Sequence, residues 1–297
     1  MSVDADAATA ASVAGTPLRV VPLRRPGRWV AAVLAVAGLA AFLQALLRSP
    51  NLRLDVIGEY LFKPYILHGV LTTVWLTVVA QLLGTAGGTA IAIMRLSANP
   101  VLRAVSWLFV WVFRGTPLLV QIIFFGFLGA LFPTLTLTVP FSGDILWSRP
   151  TSVVITGTVA AVLALSLNEM AYAAEVIRAG ILSVDRGQLE AAYALGMRPR
   201  LTMRRIVLPQ AMRVIIPPMG NDTITMLKST ALVSVIAGSD LLTVVQGIYT
   251  ANYQVIPMLI VAALWYLAIV SVLSTAQFLV ERRFGRGVTT TNRGITR

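Results

Sequence analysis

The 297-residue chain is 57% hydrophobic and only 12% charged, with a mean hydropathy of +0.81. That balance excludes an ordinary soluble domain, whose surface carries far more charge. The formal net charge of +12 would point to nucleic acid on a soluble protein, but the basic residues here lie between long apolar runs and orient helices in a bilayer instead.

With no cysteine and a single histidine, disulfides, Cys/His zinc sites and cysteine nucleophiles are ruled out. His68 therefore reads as a packing or interfacial residue. Residues 1–28 are small and polar, then basic, and read as a disordered tail. Residues 29–47 hold no charge until Arg48 and cover about 28 Å at about 1.5 Å per residue, enough to span a membrane as an uncleaved anchor. Residues 49–64 are polar and form an outer loop.

Five further spans follow. The second lies within residues 66–94, where Gly84 and Gly88 make a GxxxG pair that permits close helix approach. The third covers residues 104–132, interrupted by Arg114-Gly115-Thr116-Pro117. Residues 133–150 are expected as a loop. The fourth spans residues 151–167 and continues into a charged end at Glu169, Glu175 and Arg178, the last two an ion pair on one helix face. The fifth and sixth take residues 208–236 and 255–280.

Arginines 95 and 103, those from Arg178 to Arg213, and those from Arg282 to Arg297 all fall on one side. The alternate loops hold only Arg48, Arg53, Lys63 and Arg149. By the positive-inside rule both termini and the loop at residues 181–207 are cytoplasmic.

That loop contains a short helix, expected over residues 184–195, with Asp185 capping its start and Gly196 supplying a left-handed stop. Ala191 and Ala192 give it a smooth flank for a partner, and Pro209 opens the next helix, where its missing N–H is harmless. The run Glu190-Ala191-Ala192-x3-Gly196-x9-Ile206-x-Leu208-Pro209 resembles the EAA loop of ABC importer permeases at every defining position. Arg114-Gly115-Thr116-Pro117-Leu118-Leu119-Val120-Gln121 is similar to the signature of the polar amino-acid (histidine/glutamate/arginine) permeases. Ala171-Tyr172, Glu175, Arg178 and Gly180-Ile181, with Gly187-Gln188, fit the same group. Ala231 stands where relatives often carry serine, so no substrate contact is assigned to it.

The resemblance implies an all-α integral membrane protein of six helices. These are a five-helix permease core at residues 65–283, an added N-terminal helix at 29–47, and a cytoplasmic tail at 284–297. It also implies a transmembrane permease subunit of an ATP-binding-cassette importer for a polar amino acid. The EAA loop would couple it to a separate ATPase that binds the ATP and magnesium, so this chain would hold no cofactor of its own. The partners implied are two ATP-binding subunits, a second permease and an extracytoplasmic amino-acid-binding protein, in a bacterial inner membrane, with no nucleic acid.

Charged groups inside a bilayer are functional candidates by default. Arg114, Gln121, Asn221, Asp222, Lys228 and Thr230 are candidates for the substrate path, because basic groups and amides together suit a zwitterion; Arg114 reads better still as snorkelling or binding carbonyls at the kink beside Pro117. In the competing reading Asp222 and Lys228 satisfy each other. Pro217-Pro218 is expected to break the fifth span and free carbonyls toward a substrate. The two lysines, Lys63 and Lys228, follow Phe62 and Leu227, so no G-x4-G-K phosphate loop exists and ATP must be hydrolysed elsewhere. The rivals are an ion-gradient-driven transporter or channel, which leaves the EAA loop unexplained, and an intramembrane enzyme, for which catalytic residues are lacking.

Overall fold

The computed structural model describes residues 26–139 and 143–284. The expected tails at 1–28 and 284–297 lie outside the described residues save at their inner edges. The chain divides between Leu52 and Arg53 into two units. In the first, α1 (Pro26–Leu47) is uncharged from Trp29 onward.

The second unit begins with α2 (Leu54–Tyr60) and α3 (Pro64–Leu96). The short α2 falls where a plain loop is expected. There the hydrogen bond from Arg53 to the exposed Asp55 holds that carboxyl below its ordinary range. Next come α4 (Pro100–Gly115), α5 (Leu118–Gly126) and α6 (Leu128–Leu131). Strands β1 (Thr134–Thr138) and β2 (Ile145–Pro150) then form an antiparallel hairpin where the sequence reading has a loop. The alternation Thr-Leu-Thr-Leu-Thr is a strand pattern, and Thr136 and Ser148 join their hydroxyls across it at 3.1 Å.

After α7 (Thr151–Val154) the chain breaks, and α8 (Gly157–Leu182) starts under a Thr156 cap that accepts from the Val159 N–H. The fourth span therefore begins six residues later than expected but runs unbroken through Glu169, Glu175 and Arg178. Beyond it lie α9 (Arg186–Ala194), α10 (Pro199–Thr202), a π-helical turn (Met203–Val207), α11 (Leu208–Ser229) and a 3-10 turn (Thr230–Ile236). Helices α12 (Leu241–Asn252) and α13 (Val255–Phe284) complete the described chain.

Among the described residues, four helices are long and apolar enough to cross a membrane, and six spans result if each bent pair counts as one. The first pair, α4 with α5, bends by 99°. Its cause is local: Thr116 precedes Pro117 and is pushed to extended geometry at φ −108°, ψ 141°. Pro217 and Pro218, in contrast, do not break α11. The helix stays regular through them, and Gln277 of α13 donates to the Pro217 carbonyl at 3.4 Å. The carbonyls that lose a donor to the two rings are those of Arg213 and Val214, four residues back, so this bond adds to the helix rather than repairing it.

The most extensive helix pairing is α3 on α8. Small residues make it possible: a Cβ on Gly88 would lie 2.7 Å from the Ala173 methyl. Two apolar clusters sit along α8. One gathers Leu76, Ile122, Leu165, Met226 and Val233; the other gathers Ala92, Val110, Ala173, Ile177, Val184 and Val207 near the α9 loop.

Candidate functional site: a coupling loop and a carboxylate-lined cavity

The loop helix α9 is built as its sequence dictates. Asp185 accepts from the Gly187 N–H at 2.8 Å. At the other end Gly196 takes φ +73°, its N–H bonds the Tyr193 carbonyl at 2.9 Å, and the Met197 N–H bonds the Ala192 carbonyl at 3.0 Å. This is a Schellman stop, which satisfies two otherwise free carbonyls and favours glycine at the left-handed position. Val184 and Leu189 pack into the second apolar cluster and fix the loop on the spans.

Glu190, Ala191 and Gly196 are exposed, as are Tyr193 and Leu195. Ala192 is 3% exposed and faces inward, so the expected smooth two-alanine flank reduces to Ala191. Ile206 is half-buried, while Leu208 and Pro209 are exposed. Pro209 stands second in α11, yet Val207 before it is already helical, so the helix is entered from a π turn rather than from a loop. Arg186, Arg198, Arg200, Arg204 and Arg205 are all exposed around this surface.

The six candidate path residues are not brought together. Gln121 is buried and committed to backbone: its amide nitrogen donates to the Phe113 carbonyl at 2.9 Å and to the Thr116 carbonyl and hydroxyl at 3.1 and 2.9 Å. Asn168 adds a bond to the Gln121 oxygen at 3.3 Å. Gln121 thus bridges the α4–α5 break. Thr230 is fully buried and bonds the Leu227 carbonyl. Asn221 and Lys228 are exposed on α11. Lys228 makes no ion pair with Asp222 among the described residues, because six positions on a helix place the two on different faces.

Asp222 is different. It lines a cavity of about 280 Å3 with Asn168, Glu169, Tyr172, Thr225 and Ser229. Glu169 is 4% exposed, and one of its oxygens accepts from the Gln81 amide at 2.9 Å. The sequence alone places Glu169 only in the charged end of the fourth span. Its signal is that it is the first charge after the uncharged run 150–168, one turn before Tyr172. Arg114 lies outside this cavity, its guanidinium carbon 5.0 Å from the centre of the Tyr172 ring. The expected Glu175–Arg178 pair is present at 2.8 Å, and Arg95 joins it at 3.1 Å, tying the end of α3 to α8.

Bent apolar helices around a polar cavity, with the helical α9 loop held at one end of α8, fit a membrane permease. The chain belongs to the family of binding-protein-dependent transport system inner membrane components, whose model matches residues 84–286. It is 45% identical over 276 residues to the arginine transport system permease protein ArgU of Corynebacterium glutamicum, covering 93% of this chain and 85% of that one. That alignment leaves too few residues aside for α1 to lie outside it. The chain is 37% identical to the histidine/lysine/arginine/ornithine transport system permease protein HisM of Salmonella typhimurium, covering 74% and 90%.

A solved structure described as an amino acid ABC transporter with histidines matches with a TM-score of 0.62 at 36% identity, covering 74% of this chain and 94% of that one. The MetNI methionine transporter, at 19% identity and a TM-score of 0.57, shares the fold. This chain is therefore the permease subunit of an ABC importer in the inner membrane. ATP is hydrolysed by a separate chain, and the system uses ATP-binding and substrate-binding partners. The gradient-driven alternative is set aside by this membership.

Proposed function

We propose that the chain carries a polar amino acid with a cationic side chain into the cell, and that the cavity between α8 and α11 receives the substrate. The observation that carries this reading is the pair of carboxylates, Glu169 and Asp222, on the wall of one cavity. A charge in such surroundings needs an opposite charge or hydrogen bonds. A guanidinium or ammonium supplies both. Arginine transport by the 45% identical relative agrees with it. Gln121 and Thr230 then shape the path from behind rather than touching substrate. Asn221 and Lys228, exposed on α11, face a second permease across the path.

In the same reading the α9 loop and both termini are cytoplasmic, in keeping with the arginine distribution. Glu190, Ala191 and Gly196 form the docking face for one of two ATPase subunits, with Ile206, Leu208 and Pro209 joining it to the span. Ala192 acts from behind by holding α9 on its neighbours. The chain binds no cofactor of its own.

Uptake of labelled arginine by vesicles holding the complete transporter tests the substrate assignment. Glu169→Gln should lower arginine uptake by at least roughly tenfold, the scale of one lost charged hydrogen bond, with unchanged amounts of transporter. Undiminished arginine uptake by both Glu169→Gln and Asp222→Asn would remove the cavity from the path.

A further inference from the structure

We infer that Tyr172, held by Arg114, is the side chain that closes the substrate cavity on the coupling-loop side. The inference rests on the Glu169–Asp222 cavity being the substrate site, and adds what bounds it. Tyr172 lines two cavities at once. One is the cavity of about 280 Å3 with Glu169 and Asp222. The other is an open groove of about 440 Å3, lined by Arg95, Trp107, Trp111, Arg114 and Glu175 among others. Among the described residues, no other lines both.

The second cavity lies toward α9. Arg95, in the last turn of α3, bonds Glu175 there. Val110, also on its wall, belongs to the apolar cluster that contains Val184 and Val207 at the two ends of the loop. Along α8 the residues Glu169, Tyr172 and Glu175 follow at three-residue spacing, each step a rise of about 4.5 Å. The phenol ring thus stands between a carboxylate of the first cavity and a carboxylate of the second.

Arg114 fixes the ring, its guanidinium carbon 5.0 Å from the ring centre. It is the penultimate residue of α4, directly before the 99° break. A swing of α4 against α5 therefore moves the guanidinium relative to the ring. Leu189 of α9 and Val110 of α4 belong to the same cluster, so a displaced coupling helix pushes on α4. A cationic substrate leaving Glu169 and Asp222 toward α9 passes the ring, and Arg114 repels it until that contact opens. Shape and charge then act together as one barrier, and Glu175 beyond it is already paired with Arg95 and Arg178.

The natural chain has no cysteine, so Ser229→Cys places a single thiol in the first cavity. Membrane vesicles with the α9 side outward, holding the complete transporter, are treated with a membrane-impermeant methanethiosulfonate, and the modification rate is measured. With Tyr172 in place the reaction is slow. Tyr172→Leu is expected to speed it roughly tenfold, while Tyr172→Phe, which keeps the ring on Arg114, changes it less than about twofold. Arg114→Gln, which spares the packing of α8, is expected to speed it as well.

Equal rates for Tyr172, Tyr172→Leu and Arg114→Gln would overturn the gate. So would equal acceleration by Tyr172→Phe and Tyr172→Leu. Added arginine separates this failure from that of the substrate assignment. Loss of arginine protection in the Ser229→Cys chain with native Tyr172 rejects the substrate cavity, whereas protection with identical rates across the variants rejects the gate alone.

Discussion

Gly84 makes the berth for Glu169. A Cβ on Gly84 would lie 2.3 Å from Glu169 Cγ and 2.5 Å from its Cβ, so the glycine on α3 and the carboxylate on α8 occupy one another's space. The GxxxG pair thus does two things: Gly88 allows the helices to meet, and Gly84 lets a charged side chain lie between them, bonded to Gln81.

Gly84→Ala should therefore destabilise the protein by about 1–3 kcal/mol, the range for overpacking a close contact. Thermal unfolding in detergent measures it, with Gly247→Ala as control, since nothing lies within 4 Å of a Cβ there. Equal melting of the two variants would contradict the packing account.

Gln121 is expected to matter through structure rather than through substrate. Gln121→Leu removes the side-chain donor to the Thr116 carbonyl at the α4–α5 break and leaves the Phe113 carbonyl only its bond from Asn168, a loss of about 1–3 kcal/mol. Its transporter should melt earlier, with arginine affinity unchanged in whatever fraction folds. A changed affinity at normal stability would place Gln121 on the path.

Gly196→Ala tests the end of α9. At φ +73° a side chain is strained by about 1 kcal/mol, and open space around the position means that packing adds nothing. The folded amount should stay near normal while substrate-stimulated ATP hydrolysis falls, because the loop ends less firmly. Unaltered stimulation would show that the Schellman stop is dispensable for coupling.

The coupling loop was the most legible part of the sequence, because its ends depend on local chemistry: an aspartate cap and a glycine stop a few residues apart. The spans were legible from apolar length, though their starts were not. Thr151 opens a four-residue helix and Thr156 caps the real one, and both are ordinary start signals. The hairpin is hard to see because residues 133–150 also read as a plain connection between two spans, although Thr134 to Thr138 alternate as a strand. The cavity was hardest to see. Asp222 could be named from its charge, but Glu169 gains its meaning from Gly84 and Gln81 on another helix, which no local spacing encodes. Pro217-Pro218 reads as a break from local chemistry alone, yet α11 continues through both residues.

The central claim is that α9 couples this permease to its ATPase, and co-purification tests it most directly. The chain is isolated in mild detergent with its ATPase subunit, wild type against Glu190→Lys and Gly196→Asp. Both changes alter exposed positions of the loop while leaving the spans untouched. The account predicts that the wild type retains the ATPase and that both variants lose most of it, with arginine uptake lost in parallel. Full retention by both variants with full uptake would contradict it, and the docking element would lie elsewhere on the chain.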